Sequence, residues 1–273
     1  QSNDHIFINS CGILYLFRKR ITTRMVVSLE RWQGKVAVVT GSSSGIGAAI
    51  SEKLVEAGVI VVGLARRKER LDELAVKLKD KAGKFHPIRT DVSKEEDLLR
   101  AFEWVEANLG AVHVLVNSAG LRKPTNLVEG STEMWREIID VNVLGLCVAT
   151  RETVRSMRKH HVDGHVIHVN SLAGHRVLWF AESSVYPASK HAVTALTETL
   201  RQELNAIGSK IKITSISPGL VDNEFRQVSG VAEIDGGAAI QSEDVADATV
   251  YVLGTPPHVQ VHELIIRPVG GKY

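Results

Sequence analysis

The sequence predicts an α/β fold, a doubly wound parallel sheet forming a single domain with helices on both faces. Three observations predict it. From Lys35 onward, short runs rich in Val and Ile alternate with longer amphipathic segments. Those runs are apolar at nearly every position, the pattern of strands buried on both faces. A glycine-rich turn joins the first run to the first amphipathic segment, at 40–47. Regular β–α alternation requires crossover connections and therefore a parallel sheet.

In chain order, the first strand is expected at 36–40 (Val-Ala-Val-Val-Thr), leading through the glycines into a helix over 46–57. A second apolar run at 59–64 precedes an amphipathic helix at 68–81. The third strand is expected at 85–90 with a helix at 94–109, and the fourth at 112–117 with a long helix at 132–160. The fifth, at 165–170, leads to a helix at 184–207, and the sixth lies at 211–217. A last strand is expected near 261–266. No linker or internal repeat interrupts 35–273, and 273 residues at 44% hydrophobic content suffice for one large core.

Residues 1–34 are read as an N-terminal extension outside the fold. The chain opens on Gln1, and an apolar stretch over 6–17 is followed by Arg18-Lys19-Arg20. About 12 apolar residues are too few to cross a bilayer, and a secretory signal carries its positive charge before the apolar run. Met25 is the expected start, with a short membrane-surface anchor as the alternative for 1–24. A formal charge of +2 without a basic stripe argues against nucleic acid. Cys11 and Cys147 form neither a metal site nor a disulfide framework, and a reducing, cytoplasmic setting is expected. No transmembrane span and no metal are expected.

The turn Thr40-Gly41-Ser42-Ser43-Ser44-Gly45-Ile46-Gly47 has a stated chemistry. Gly41 permits a tight turn, Gly45 clears the backbone for a pyrophosphate, and Gly47 allows close helix packing. The helix N-terminus adds free N–H groups and the positive end of its dipole. Gly41, Ser43, Ser44, Gly45, Ile46 and Gly47 are thus candidate dinucleotide contacts in a Rossmann-type fold. An NAD site places a carboxylate roughly 20 residues further on, at the second strand's end. Here the chain reads Gly63-Leu64-Ala65-Arg66-Arg67. Two guanidiniums suit a 2′-phosphate, so NADP is expected rather than NAD. Asp91 and Val92, after the third strand, are placed near the adenine, with Asp91 as a helix cap the competing reading. Asn117, Ala119 and Gly120 end the fourth strand at the same carboxyl edge.

Tyr186 and Lys190 share one helix face at i and i+4. A free phenol, with a pKa of about 10, is a poor base at neutral pH. A nearby ammonium and a cationic nicotinamide favour the phenolate; lowering it by ~3 units needs ~4 kcal/mol. Tyr186 would then take the proton of an alcohol, or return it, and Lys190 would hold the nicotinamide ribose. Ser171 lies just past the fifth strand, where its hydroxyl can bond a substrate oxygen. Asn142, inside the long helix, needs buried partners and is expected to tie a water to Lys190.

Taken together these residues resemble the short-chain dehydrogenase/reductase family. The resemblance covers 35–273 through Thr-Gly-x-x-x-Gly-Ile-Gly, Asn142, Ser171, Tyr-x-x-x-Lys and Pro218-Gly219. It implies that Asn142, Ser171, Tyr186 and Lys190 form a catalytic tetrad. It also implies that the stretch with Pro218, Gly219 and Val221 meets the nicotinamide carboxamide, as does Asn223, where the family often has Thr. A homodimer or homotetramer is implied as well. Within the family, residues 30–35, 63–67, 186–198 and 265–269 are similar to the insect farnesol dehydrogenase-like branch. That implies oxidation of farnesol to farnesal, the alternative being carbonyl or ketosteroid reduction, as in the similar vertebrate branch. Ser118 departs from the family's Asn, and the 15 residues from Ser171 to Tyr186 exceed the common spacing. The enlarged loop, with His175, Leu178, Trp179 and Phe180, is expected to border an apolar substrate. His175 and Phe180 are candidate substrate contacts, and 223–237 is a candidate lid.

Overall fold

The computed structural model describes residues 27–177, 182–228 and 238–271. Seven parallel strands form one sheet in the order β3-β2-β1-β4-β5-β6-β7. They are β1 (Val36–Thr40), β2 (Ile60–Ala65), β3 (Lys84–Arg89), β4 (Val114–Asn117), β5 (His165–Val169), β6 (Lys212–Pro218) and β7 (Glu263–Ile266). All seven expected strands are present, with ends displaced by one or two residues. Between them run α1 (Gly45–Glu56), α2 (Lys68–Leu78), α3 (Glu95–Leu109), α4 (Thr132–Ile139), α5 (Leu146–Lys159) and α6 (Tyr186–Ala206).

Successive strand residues point to opposite faces, and each face has its own core. On one side Ala37, Val39, Val116 and Ile167 pack with Ile50 and Leu54 of α1. On the other, Val38, Val62, Leu115 and Ile213 pack with Leu98 and Val105 of α3, Met157 of α5 and Leu204 of α6. Each of the Val, Leu, Ile and Met side chains contributes roughly 1.5–3 kcal/mol relative to exposure.

Two helices were not expected from the sequence, α7 (Glu224–Val228) and α8 (Ser242–Gly254). Helix α8 joins α1 in the first layer through Val245, Ala246, Val252 and Leu253. The expected helix over 132–160 is not uniform. A π-helical turn, Asp140–Gly145, separates α4 from α5 and carries Asn142.

The fold begins before the expected boundary at Lys35. Trp32 is only 5% exposed, and its indole N–H donates to Leu253 O at 2.9 Å. Arg31 Nη2 donates to the same carbonyl at 2.6 Å. These groups complete the C-terminal end of α8, whose carbonyls lack helical partners. Residues 1–26, including Met25, lie outside the described residues. Among the described residues, no helix is long and apolar enough to cross a membrane.

Candidate active site

The carboxyl ends of β1, β2, β4, β5 and β6 open onto one cleft of about 430 Å³. Its floor is the turn between β1 and α1. Gly41 (φ 73°) and Gly45 (φ 54°) occupy the left-handed region that a side chain disfavours. A Cβ on Gly41 would stand 2.9 Å from the backbone of Ala119, and one on Gly47 2.4 Å from Gly41 O. Thr40 braces the wall, its Oγ1 accepting from Ser118 N at 3.1 Å and Ala119 N at 3.0 Å. The close approach of α1 to this turn leaves a bare backbone cradle beside a helix N-terminus, which fits a dinucleotide pyrophosphate.

Ser43, Ser44, Ile46, Arg66, Arg67, Asp91, Val92, Ala119, Gly120, Pro218, Gly219, Val221 and Asn223 all line this cleft. The two arginines differ. Arg67, which precedes α2, donates to Ser44 Oγ at 2.6 Å and Ser43 Oγ at 3.1 Å, and pairs with Glu224 Oε1 at 2.7 Å. Glu224 also meets Arg70. These two cations hold its carboxyl down at about 2. Arg66 is exposed. Asp91 Oδ1 accepts from Ser93 N at 3.1 Å and from its hydroxyl at 2.7 Å, so one oxygen does serve a local turn. Asn223 Oδ1 accepts from Arg226 N at 3.3 Å in α7.

Deeper in the cleft lie Ser171, Tyr186 and Lys190. Ser171 opens a short 3-10 turn after β5, its hydroxyl accepting from Ala173 N at 3.1 Å. Tyr186 is the first residue of α6, with Pro187 behind it fixing the first turn. Burial pushes the Tyr186 phenol above its ordinary range, while a hydrogen bond from Ser171 and the charge of Arg122 pull it back. Lys190 is 6% exposed. Its Nζ donates to Val169 O at 3.1 Å and stands 6.0 Å from the Tyr186 ring centre. Burial pushes this ammonium down to about 8.

Three expected residues are placed differently. Asn142 does not reach Lys190 in the structure. Its Oδ1 accepts from Leu121 N at 2.7 Å, and its Nδ2 donates to Leu121 O at 2.9 Å and Ser189 Oγ at 3.0 Å. The side chain of Asn117 donates to Thr150 Oγ1 at 3.0 Å inside the sheet–helix core and not into the cleft. His175 is not a cleft residue. Its Nε2 lies 3.0 Å from Ser217 Oγ and 3.2 Å from Glu263 Oε1, so the expected substrate contact does not fit its placement. Leu178, Trp179 and Phe180, and 229–237 of the candidate lid, lie outside the described residues. Among the described residues no cluster could hold a metal ion.

Among the cleft residues given no site role by sequence reasoning, two stand out beside Tyr186. Phe225 of α7 packs 6.2 Å from the Tyr186 ring. Arg122 is 5% exposed and lines the same cleft. Phe225 falls in the segment expected as a lid but had no role of its own there, and Arg122 belongs to no local motif.

The model of the short chain dehydrogenase family matches residues 35–233. The farnesol dehydrogenase of Aedes aegypti is 54% identical over 248 residues, covering 90% of this chain and 100% of that protein. Dehydrogenase/reductase SDR family member 11 of Bos taurus is 45% identical over 250 residues, covering 88% and 98%. Among solved structures, an alcohol dehydrogenase of Thermococcus sibiricus complexed with 5-hydroxy-NADP superposes with a TM-score of 0.79. It is 29% identical, and the match covers 88% of this chain and 98% of that one. A serine dehydrogenase complexed with NADP+ gives 0.79 at 30% identity, covering 87% and 96%. With its parallel sheet, its glycine cradle and these matches, the chain belongs to the short-chain dehydrogenase/reductase family and is an oxidoreductase.

Proposed function

We propose that this enzyme interconverts an apolar alcohol and its carbonyl with NADP(H), and that its substrate is an isoprenoid alcohol, farnesol giving farnesal. The observation that carries the reading is the convergence of Ser171, Tyr186 and Lys190 in a cleft floored by the glycine turn. The substrate class is supported by the 54% identity to an enzyme named for farnesol. Apolar Leu121, Leu172, Leu220 and Phe225 in the lining suit such a chain. NADP over NAD is supported by Arg66 and Arg67 at the end of β2, where no carboxylate stands, and by structural relatives solved with NADP. The same reading includes a homodimer or homotetramer in the cytoplasm.

A bound nicotinamide would supply hydride transfer to and from the carbon that bears the substrate oxygen. The pyrophosphate would rest on Gly41, Gly45 and the N–H groups opening α1, and the 2′-phosphate near Arg66 and Arg67. Ser171 Oγ donates to the substrate oxygen as charge gathers there. Tyr186 Oη takes the hydroxyl proton in oxidation and gives it in reduction. Lys190 places a cation near the phenol, favouring its ionised form. Asn142 positions the wall, holding Leu121 by both backbone polar groups.

Reduction of carbonyls or ketosteroids is the second reading. One observation favours it: burial pushes the Tyr186 phenol up, towards the protonated form that donates. Alcohol oxidation should accordingly quicken as pH rises above neutrality, and carbonyl reduction should slow. The test is NADPH formation with farnesol, geraniol and hydroxysteroids, beside NADPH consumption with the matching carbonyls. Turnover of isoprenoid alcohols is expected. Steroid turnover without it moves the assignment to the second reading. Tyr186→Phe should lower kcat at least about 100-fold, and full activity in that variant would remove both readings.

A further inference from the structure

Arg122 needs a reason to be where it is. A guanidinium taken out of water loses hydration that only well-placed partners restore, yet this one is 5% exposed in the lining of the cleft. Its neighbour Leu121 is clamped at both backbone groups by Asn142. From that anchor, two donors reach one carbonyl: Arg122 Nη2 lies 3.4 Å and Thr125 N 3.3 Å from Glu182 O. Glu182 (φ 57°) and Ser184 (φ 45°) both hold left-handed backbone without being glycine. Such conformations persist when the surroundings over-determine them. The segment they form ends at Tyr186, whose N–H donates to Ser183 O at 3.0 Å.

We propose that Arg122 is a positioning residue for the reaction, pinning the strained segment that delivers Tyr186 and lending its charge to the phenolate. This rests on Tyr186 being the proton carrier. Among the described residues, four groups bear on that phenol. Ser171 bonds it, Arg122 acts on it through its charge, Lys190 Nζ stands 6.0 Å from its ring, and Phe225 closes an apolar side. Arg122 in turn faces Glu182, whose charge and that of Tyr186 favour the guanidinium against its burial. Arg122 therefore adds a cation on the phenol's surroundings in addition to Lys190. It acts through Tyr186 and needs no contact with substrate.

Arg122→Gln separates the two parts of the role, since an amide can still donate to Glu182 O but carries no charge. The midpoint of the rising limb of kcat/KM for alcohol oxidation should move up by about one pH unit, with KM little changed. Arg122→Lys should stay near the wild-type midpoint. An independent readout is the phenolate absorbance of Tyr186, taken as wild type minus Tyr186→Phe and repeated in the Arg122→Gln background. It should shift upward by the same amount. Reduced turnover with an unmoved midpoint in both measurements would overturn the proposal, leaving Arg122 a structural residue. An active Tyr186→Phe would instead overturn the assignment of the site, so the two failures are distinguishable.

Discussion

Arg66 and Arg67 are adjacent and in opposite circumstances. Arg67 is bound to Ser43, Ser44 and Glu224, whereas Arg66 stands exposed at the cleft's edge. An arginine already held rigid adds geometry to an anion site, and an exposed one adds charge. Arg66→Asp should weaken NADPH binding at least tenfold, the value of one charge-assisted hydrogen bond, and leave NADH nearly unchanged. Titration of reduced-nucleotide fluorescence measures both, and equal losses would contradict the role. At this scale, what the sequence discloses depends on whether partners are close along the chain. Gly41, Gly45 and Gly47 fall within seven residues, and Tyr186 and Lys190 within one turn, so their spacing carries the chemistry. Asn142 is legible as a buried amide needing partners, but Leu121 and Ser189 are 21 and 47 residues away, so the partners were not. Arg122 is less legible still, because a lone arginine reads as surface until the fold encloses it.

Elements whose buried stripe is made of large aliphatic residues announce themselves, and those whose stripe is made of small and hydroxyl residues do not. Leu71, Leu74 and Leu78 give α2 a clear face. Helix α8 buries Ser242, Val245, Ala246, Ala248, Thr249, Val252, Leu253 and Gly254, a face made largely of small and hydroxyl residues, while Glu243, Asp244, Asp247 and Tyr251 stay exposed. Its one local signal is the capping box between Gln241 and Asp244. Strand β5 shows a different device. His168 lies between two hydroxyls, with Nδ1 2.9 Å from Thr197 Oγ1 and Nε2 3.2 Å from Thr150 Oγ1. Thr197 spends its own hydrogen on Val193 O, so it accepts from Nδ1, and Thr150 donates to Nε2. A neutral ring satisfies both. Burial and then the charge of Lys190 push His168 from 6.5 down to about 3. His165, buried beside Lys212, is also pushed well down. Below pH 6.5 the unfolded chain takes protons that these native rings refuse. Stability that His168 contributes above 6.5 is therefore lost as pH falls towards 3, by about 1 kcal/mol per pH unit, and His165 acts in the same direction. His168→Gln should reduce the acid slope of urea-unfolding free energy by about one proton. An unchanged slope would show that His168 does not set it.

At the scale of the molecule, one arrangement explains why fold and site were read together. A parallel sheet brings the carboxyl ends of its strands to one edge, and in this fold ligands bind there. The turn after β1, the arginines after β2, Ser171 after β5 and the Pro218 stretch after β6 share a cleft because of strand polarity alone. The expected start of the domain failed for a matching reason: Trp32 is part of the first core layer, and the acceptor for its indole N–H is on α8, which the sequence did not disclose. Trp32→Ala should cost about 3 kcal/mol or more, the usual range for emptying a buried aromatic site. Chemical denaturation measures it, and a loss under about 1 kcal/mol would show that the segment is only draped on the domain. The bond from Trp32 to Leu253 spans 221 residues. During synthesis the tryptophan therefore leaves the ribosome on the order of ten to forty seconds before its acceptor exists. Until then it is an apolar ring with nowhere to dock. Closure of the Trp32 segment onto α8 therefore waits for nearly the whole chain, and a nascent chain cut short of α8 leaves the indole without its acceptor.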